Sequence, residues 1–309
     1  MGIKGGILMQ QDINMFKSTP IETYQVDGHA VIVKREDTCG PEGAPTFSKI
    51  RGLFPHLISM KKDNPKLEVV AYVETSVSMA GWGVAWACSQ LDLRCIIFDP
   101  QYIPKTELPL LRYHRLQWDK WGAERRPIKA GMAKVNWMIA RKIMKEEFGK
   151  KGALLELGLP LQESIAATAD ELVYTVANQT SDFGSIVVNV GSGTIAAGLL
   201  KGLSTLSILL DNKYSKIPIY GIMGRSGNLA KKTKKIYSKA ELPPAGSLFA
   251  TLQPRPRLLL QDPGWEYTQK SDVDVPFFCH PYYDRKAWEW LQQNIGTIEQ
   301  PVLFWNIGR

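Results

Sequence analysis

The sequence predicts an α/β fold built on mostly parallel strands, and three observations carry that expectation. Short β-branched or apolar runs alternate with amphipathic stretches along nearly the whole chain. One run, SIVVNV from Ser185 to Val190, is almost continuously apolar, as a strand covered on both faces must be. Gly191-Ser192-Gly193-Thr194 and the apolar helix IAAGLLKGL follow at once. Strand, glycine turn and helix is the order in which backbone N–H groups and a helix N-terminus hold a phosphate.

The elements follow in chain order. After a polar turn at Ser18-Thr19-Pro20-Ile21, Thr23 to Val26 and Ala30 to Val33 form a first strand pair. Lys34-Arg35-Glu36-Asp37 ends it, a turn-forming segment with Gly40, Pro41, Gly43 and Pro45 follows, and a helix begins in Phe47-Ser48-Lys49-Ile50-Arg51-Gly52 and runs to about Lys61. Leu67 to Val73 reads as a buried strand. The stretch ETSVSMAGWGVAWACSQLD reads as a Ser/Gly loop, then a helix with Val84, Ala85, Ala87, Cys88 and Leu91 at helical spacing. Arg94 to Phe98 is the next strand, closed by Asp99-Pro100. Leu111 to Gln117 is read as extended, and Ala130 to Phe148 as an amphipathic helix ending at Gly149. A long helix covers Ser164 to Gln179, a strand Ile217 to Met223, and a loop or basic helix Leu229 to Lys239. Pro243 to Pro263 is proline-rich and irregular, Tyr283 to Gln293 is a helix with Trp288 and Leu291 inward, and Val302 to Trp305 is the last strand.

Composition bounds the function. The 309 residues allow one large domain or two lobes, and 44% hydrophobic with 22% charged residues is ordinary for a globular protein. No apolar run is long enough to span a bilayer, and MGIKGGILMQQ lacks a signal-peptide core, so a cytoplasmic location is expected. Cys39, Cys88, Cys95 and Cys279 show no metal-ligand spacing and are expected to be reduced thiols. His29, His56, His114 and His280 are scattered, so no metal site is expected. The net charge of +8 is uneven: Lys105 to Lys151 holds 13 Lys/Arg against 5 Asp/Glu, and KKTKKIYSK covers Lys231 to Lys239. Such segments attract polyanions, although a solvated helix face is the commoner cause of a lysine run.

Lys49 sits where a Pro/Gly loop meets a helix start. The dipole and unpaired N–H groups there disfavour an ammonium ion, which would lower its pKa and make the amine nucleophilic.

Taken with the Ser-rich loop, the GSGT turn and a C-terminal strand ending in Asn306-Ile307-Gly308, the set resembles the fold-type II pyridoxal-phosphate enzymes, the tryptophan synthase β-like superfamily. VKREDTCGPEGAPTFSKIRGL is most similar to the corresponding run of the aminocyclopropane-carboxylate deaminase and D-cysteine desulfhydrase branch. PYYDRKAWEWL and PVLFWNIGR resemble that family's Asp-Pro-x-Tyr-x-x-Lys-Ala helix and Phe-x-His-x-Gly-Gly strand. The resemblance implies a two-lobed enzyme with pyridoxal 5'-phosphate as cofactor. Residues 1–53 and 152–309 would form the large cofactor-binding domain and 54–151 a small mobile one. Lys49 would be the Schiff-base lysine, Gly191, Ser192, Gly193 and Thr194 the phosphate cradle, and Ser76 and Ser78 part of the loop beneath the cofactor that binds the substrate carboxylate. Asn306 would face the pyridine nitrogen, Tyr282 or Tyr283 would serve as an acid–base group, and a homodimer would be the assembly.

The departures fall on the substrate side. Met79 stands where the family loop carries an Asn, Thr46, Phe47 and Ser48 replace its Gly-Gly-Asn, and Trp82 replaces a smaller polar residue. The implied activity is chemistry at Cα or Cβ of an amino substrate: deamination, elimination, decarboxylation or isomerisation. The basic segments, 105–151 and 231–239, and a looser similarity to phage enzymes of base hypermodification extend the substrate to an amino-acid-modified base carried on DNA. A free small amino acid, a non-catalytic pyridoxal-phosphate-binding relative and a nucleotide-binding α/β protein using Gly191 to Thr194 for another phosphate are the competing readings.

Overall fold

The structure is a computed structural model that describes residues 15–101, 108–179, 182–243 and 255–309. It divides into two compact units: one made of the chain up to Pro41, Thr46–Gly52 and Gln162–Arg309, the other of Glu42–Pro45 and Leu53–Leu161.

The first unit is organised on a six-stranded sheet. Its strands are β1 (Ile21–Val26), β2 (His29–Arg35), β7 (Ser185–Val190), β8 (Ile219–Met223), β9 (Leu258–Gln261) and β10 (Val302–Asn306), in the order β1-β2-β10-β7-β8-β9. Only the β1–β2 hairpin is antiparallel; β10 lies parallel between β2 and β7, with Val302 opposite both Val31 and Ser185. The period of two explains why the central strands β7 and β10, buried along their whole length, are almost continuously apolar. Ile186, Val188, Val190, Leu303 and Trp305 pack on one side with Leu172, Leu199 and Leu203, whereas Val187, Val302 and Phe304 pack on the other with Trp288 and Leu291. The helices that supply those side chains are α5 (Gln162–Asn178), α6 (Thr194–Leu209) and α8 (Asp284–Asn294), and α7 (Leu229–Lys239) precedes β9.

The second unit carries a wholly parallel sheet ordered β5-β4-β3-β6, with β3 Val69–Val73, β4 Arg94–Gln101, β5 Glu124–Lys129 and β6 Gly152–Leu154. Its helices are α2 (Ala80–Gln90), α3 (Pro109–Lys120) and α4 (Ala133–Phe148), and the chain passes from one unit to the other within α1 (Ile50–Asp63). The alternating β and α elements give the expected α/β architecture.

Several local expectations need correcting. Leu111 to Gln117 is helical, inside α3: Pro109 starts the helix, and Leu111, His114 and Trp118 are its buried positions, a helical rather than a two-residue spacing. The β4 strand continues through Asp99-Pro100 to Gln101. β5, reading ERRPIK, is an edge strand whose charges conceal it from any apolar pattern. β9 lies inside the stretch read as irregular. MGIKGGILMQQ, Lys105 and residues 244–254 of that stretch lie outside the described residues. No helix among the described residues is long and apolar enough to cross a membrane, and no cluster of three potential metal ligands occurs among them. The four cysteines are free and buried.

Candidate active site

Lys49 immediately precedes α1. Its carbonyl accepts hydrogen bonds from Gly52 N at 3.1 Å and from Ser164 Oγ at 3.2 Å, so the backbone at this point is held between the first turn of α1 and α5. Its Nζ lies 3.0 Å from Ser192 Oγ, which is also 2.9 Å from Thr194 Oγ1. The amine and the glycine turn, 143 residues apart in sequence, therefore meet. Burial, then the ammonium groups of Lys239 and Lys232, lowers the pKa of Lys49 to about 7. The expected depression is present, with burial as its chief cause where the sequence pointed to the helix start.

The turn connects β7 to α6 and has the geometry its glycines require. Gly193 has φ +85, a left-handed conformation, and a Cβ built on it would lie 2.6 Å from Ile236 Cγ1. A Cβ on Gly191 would meet nothing within 4 Å, which leaves that side of the turn open. The first N–H groups of α6 lie beyond reach of intrahelical carbonyls and present positive charge. Lys232 Nζ donates to Gly191 O, and Lys239 Nζ to Ser192 O at 2.9 Å. Three lysines thus converge on one turn.

The end of β10 lies beside Lys49. Ser48 N donates to Ile307 O at 2.9 Å, and Phe47 bridges to Gly308. Asn306 is fully buried; its Nδ2 donates to Asp37 Oδ1 at 2.9 Å and to Phe278 O at 2.8 Å, and its Oδ1 has no hydrogen-bond partner among the described residues. Asp37 in turn accepts two bonds from Arg35. Behind this strand end, Tyr283 OH pairs with Tyr267 OH at 2.8 Å, and the Tyr283 carbonyl accepts from Asn189 Nδ2. Tyr282 is buried and its N–H donates to His280 Nδ1. Ser76 and Ser78 belong to the second unit, in the turn between β3 and α2, where Ser78 Oγ accepts from Ala80 N at 3.1 Å.

This donor set suits a phosphorylated aldehyde. Helix-start amides, the hydroxyls of Ser192 and Thr194 and two ammonium groups offer a dianion what it needs, and a half-neutral amine stands beside them. The orphaned Asn306 oxygen is a buried acceptor left over at the adjoining strand end.

The family model "Pyridoxal-phosphate dependent enzyme" matches residues 15–251. The chain is 35% identical over 295 residues to the glycyl-dTMP PLP-dependent decarboxylase of Pseudomonas phage M6, covering 94% of this chain and 98% of the relative. This chain is a pyridoxal-phosphate-dependent enzyme. The enzyme's fold is similar to an ACC deaminase homologue (TM-score 0.73, 22% identity, 95% of this chain and 90% of that one). It is also similar to a threonine deaminase from T.th. (TM-score 0.63, 14% identity, 97% and 95%). Pyridoxal phosphate is its cofactor, and its fold is type II.

Lys232 and Lys239 escaped the sequence reading as site residues, because their segment was weighed only as a basic stretch. The signal was present: 232, 236 and 239 are one face of a helix, with an apolar residue between two lysines.

The two basic segments differ once their partners are known. In the first, Arg115 pairs with Asp99, Arg125 with Asp119, Arg126 with Glu124 and Glu147, Lys142 with Glu146 and Lys151 with Glu68. In the second, Lys231, Lys234 and Lys235 are exposed and enter no ion pair among the described residues. With Gln162, Ser238 and Lys239 they line an open depression of about 520 Å³.

Proposed function

We propose that this enzyme removes the carboxylate from an amino-acid group carried on a thymine nucleotide within DNA, with Lys49 as the lysine that holds the cofactor. The observation that carries the reading is the 3.0 Å approach of Lys49 Nζ to Ser192 Oγ at the glycine turn, in a chain 35% identical over nearly its whole length to a glycyl-dTMP decarboxylase. When bound, pyridoxal phosphate supplies an aldehyde that links to an amine and a ring that draws electrons from the carbon where a bond breaks. The residues do the rest. Lys49, whose pKa burial lowers to about 7, would hold the cofactor aldehyde through Nζ and would hold or deliver a proton there. Decarboxylation would break the Cα–carboxylate bond, release CO2 and call for one proton at Cα, which Lys49 Nζ would deliver. Gly191, Ser192, Gly193 and Thr194 would hold the phosphate, and Asn306, at the end of β10, would serve the ring, roles the family resemblance implies. Tyr283, paired with Tyr267, and Tyr282 are the reserve acid–base groups.

In this reading the first unit carries the cofactor and the second is the mobile domain, with Ser76 and Ser78 directed to the substrate carboxylate, roles implied by the family resemblance. The exposed lysines of α7 contact the DNA backbone, and the exposed cations of the 105–151 segment that enter no ion pair among the described residues, Arg112, Lys129 and Lys134 among them, add to the same attraction. A homodimer in the cytoplasm completes the proposal, its assembly checked by light scattering.

Purified enzyme is incubated with DNA bearing glycyl-modified thymine, with the modified mononucleotide, and with free glycine and other small amino acids, and loss of CO2 is followed by mass spectrometry. Turnover of the DNA-borne group is expected, abolished in Lys49→Ala. Consumption of free amino acids alone would overturn the substrate assignment. Binding to duplex DNA should fall steeply with salt, and the triple change of Lys231, Lys234 and Lys235 to Gln should flatten the log–log slope by roughly 3, at about 0.9 for each phosphate no longer neutralised. An unchanged slope would remove α7 from the DNA interface.

A further inference from the structure

The face of α7 beside its exposed lysines points to a second role for this helix. Lys232, Ile236 and Lys239 recur at intervals of four and three residues and so lie on one side. Ile236 is fully buried, pressed on Gly193 so closely that a Cβ there would sit 2.6 Å from it. This contact docks the helix on the turn. It leaves the two flanking lysines reaching past it, Lys232 to the carbonyl of Gly191 and Lys239 to that of Ser192, the residue whose hydroxyl lies 3.0 Å from Lys49 Nζ. Holding two ammonium groups against the carbonyls of a turn that also collects a third lysine is electrostatically unfavourable without an anion.

We propose that Lys232 and Lys239 form a charge clamp that matches the two negative charges of the cofactor phosphate and thereby keeps Lys49 a neutral amine. The proposal rests on the reading that Lys49 holds the cofactor. A bound phosphate dianion beside Lys49 would by itself favour the ammonium form and suppress its nucleophilicity. Two positive charges held at the carbonyls of Gly191 and Ser192 would offset that effect, so the phosphate would anchor the cofactor without silencing the lysine next to it. The direction of the Lys49 shift, driven by burial and then by Lys239 and Lys232, agrees with this arrangement.

The test compares pyridoxal phosphate with pyridoxal, which lacks the phosphate, on the wild type and on Lys232→Gln, Lys239→Gln and the conservative Lys239→Arg. Two quantities are read: the dissociation constant of each vitamer, and the pH profile of the borohydride-trapped adduct on Lys49, located by peptide mass spectrometry. The clamp predicts that each Gln variant loses about tenfold or more in affinity for pyridoxal phosphate and less than about threefold for pyridoxal, with Lys239→Arg restoring most of the loss. It also predicts that the midpoint for trapping pyridoxal moves above the wild-type value in both Gln variants. Equal losses for the two vitamers, or a trapping midpoint that does not move, would overturn the clamp. Absence of any Lys49 adduct in the wild type would instead overturn the assignment of Lys49, so the two failures are distinguishable.

Discussion

Gly193→Ala tests whether the packing at the turn is as tight as the site requires. Two costs add. A residue with a Cβ in the left-handed region costs roughly 1–2 kcal/mol. Its new methyl carbon, 2.6 Å from Ile236 Cγ1 and 3.1 Å from Cδ1, must displace a buried side chain, for which overpacking typically costs about 1–3 kcal/mol. The total, about 2–5 kcal/mol, should appear as a lower urea midpoint and a thermal melt lowered by roughly 5 °C. Cofactor affinity should fall in parallel, because the same turn carries Ser192. Removing the opposing side chain separates the two costs. Ile236→Ala alone forfeits about 2–5 kcal/mol as a cavity, but it also deletes both clashing atoms. The double variant should therefore be more stable than the sum of the singles by about 1 kcal/mol or more. A Gly193→Ala protein within about 0.5 kcal/mol of wild type, or strictly additive singles, would refute the argument that α7 is seated on the turn through Ile236.

Two further perturbations address buried charges. Lys34, fully buried and 2.6 Å from Glu171, should cost about 3–5 kcal/mol when changed to Met, since the nearest cation left to Glu171 among the described residues is then Arg51 at 3.6 Å; Lys34→Met/Glu171→Leu should recover much of that in urea titrations. Burial raises the Asp284 carboxyl to about 8, so the folded state binds its proton more tightly than the unfolded chain does. Its contribution to stability is therefore whole below the ordinary carboxylate value near 4 and is lost as pH rises through about 8. The stability difference between Asp284→Asn and wild type should accordingly shift in favour of the variant between those limits and stay level above them; a difference independent of pH would show that Asp284 is ionised in the fold.

Much of the architecture was legible because the signals are local. SIVVNV followed by Gly-Ser-Gly-Thr specifies a buried strand, a turn with a left-handed residue and a helix start whatever the remainder of the chain does, and Gly193 adopts that conformation. The amphipathic helices α4 and α5 and the closing strand β10 came from periodicity in the same way. Where the local signal is ambiguous the reading failed. In α3 an apolar-rich run exposes Tyr113 and Leu116 and buries His114, so its pattern is decided by the sheet it covers. The edge strand β5 carries charges that its ladder with β4 tolerates, and nothing within ERRPIK announces it.

The sequence by itself determined the buried strand SIVVNV, the lysine at a helix start and the phosphate-type turn, since each depends on neighbours within a few residues. Only the tertiary structure decided which distant groups meet: Lys49 with Ser192, Lys232 and Lys239 with the carbonyls of the turn, and Asn306 with Asp37. It also decided the charge state of the amine, because desolvation and the field of other ammonium groups arise from the chain packed around a side chain. Residue type sets what a group is able to do; the company that folding imposes sets whether it does so at neutral pH.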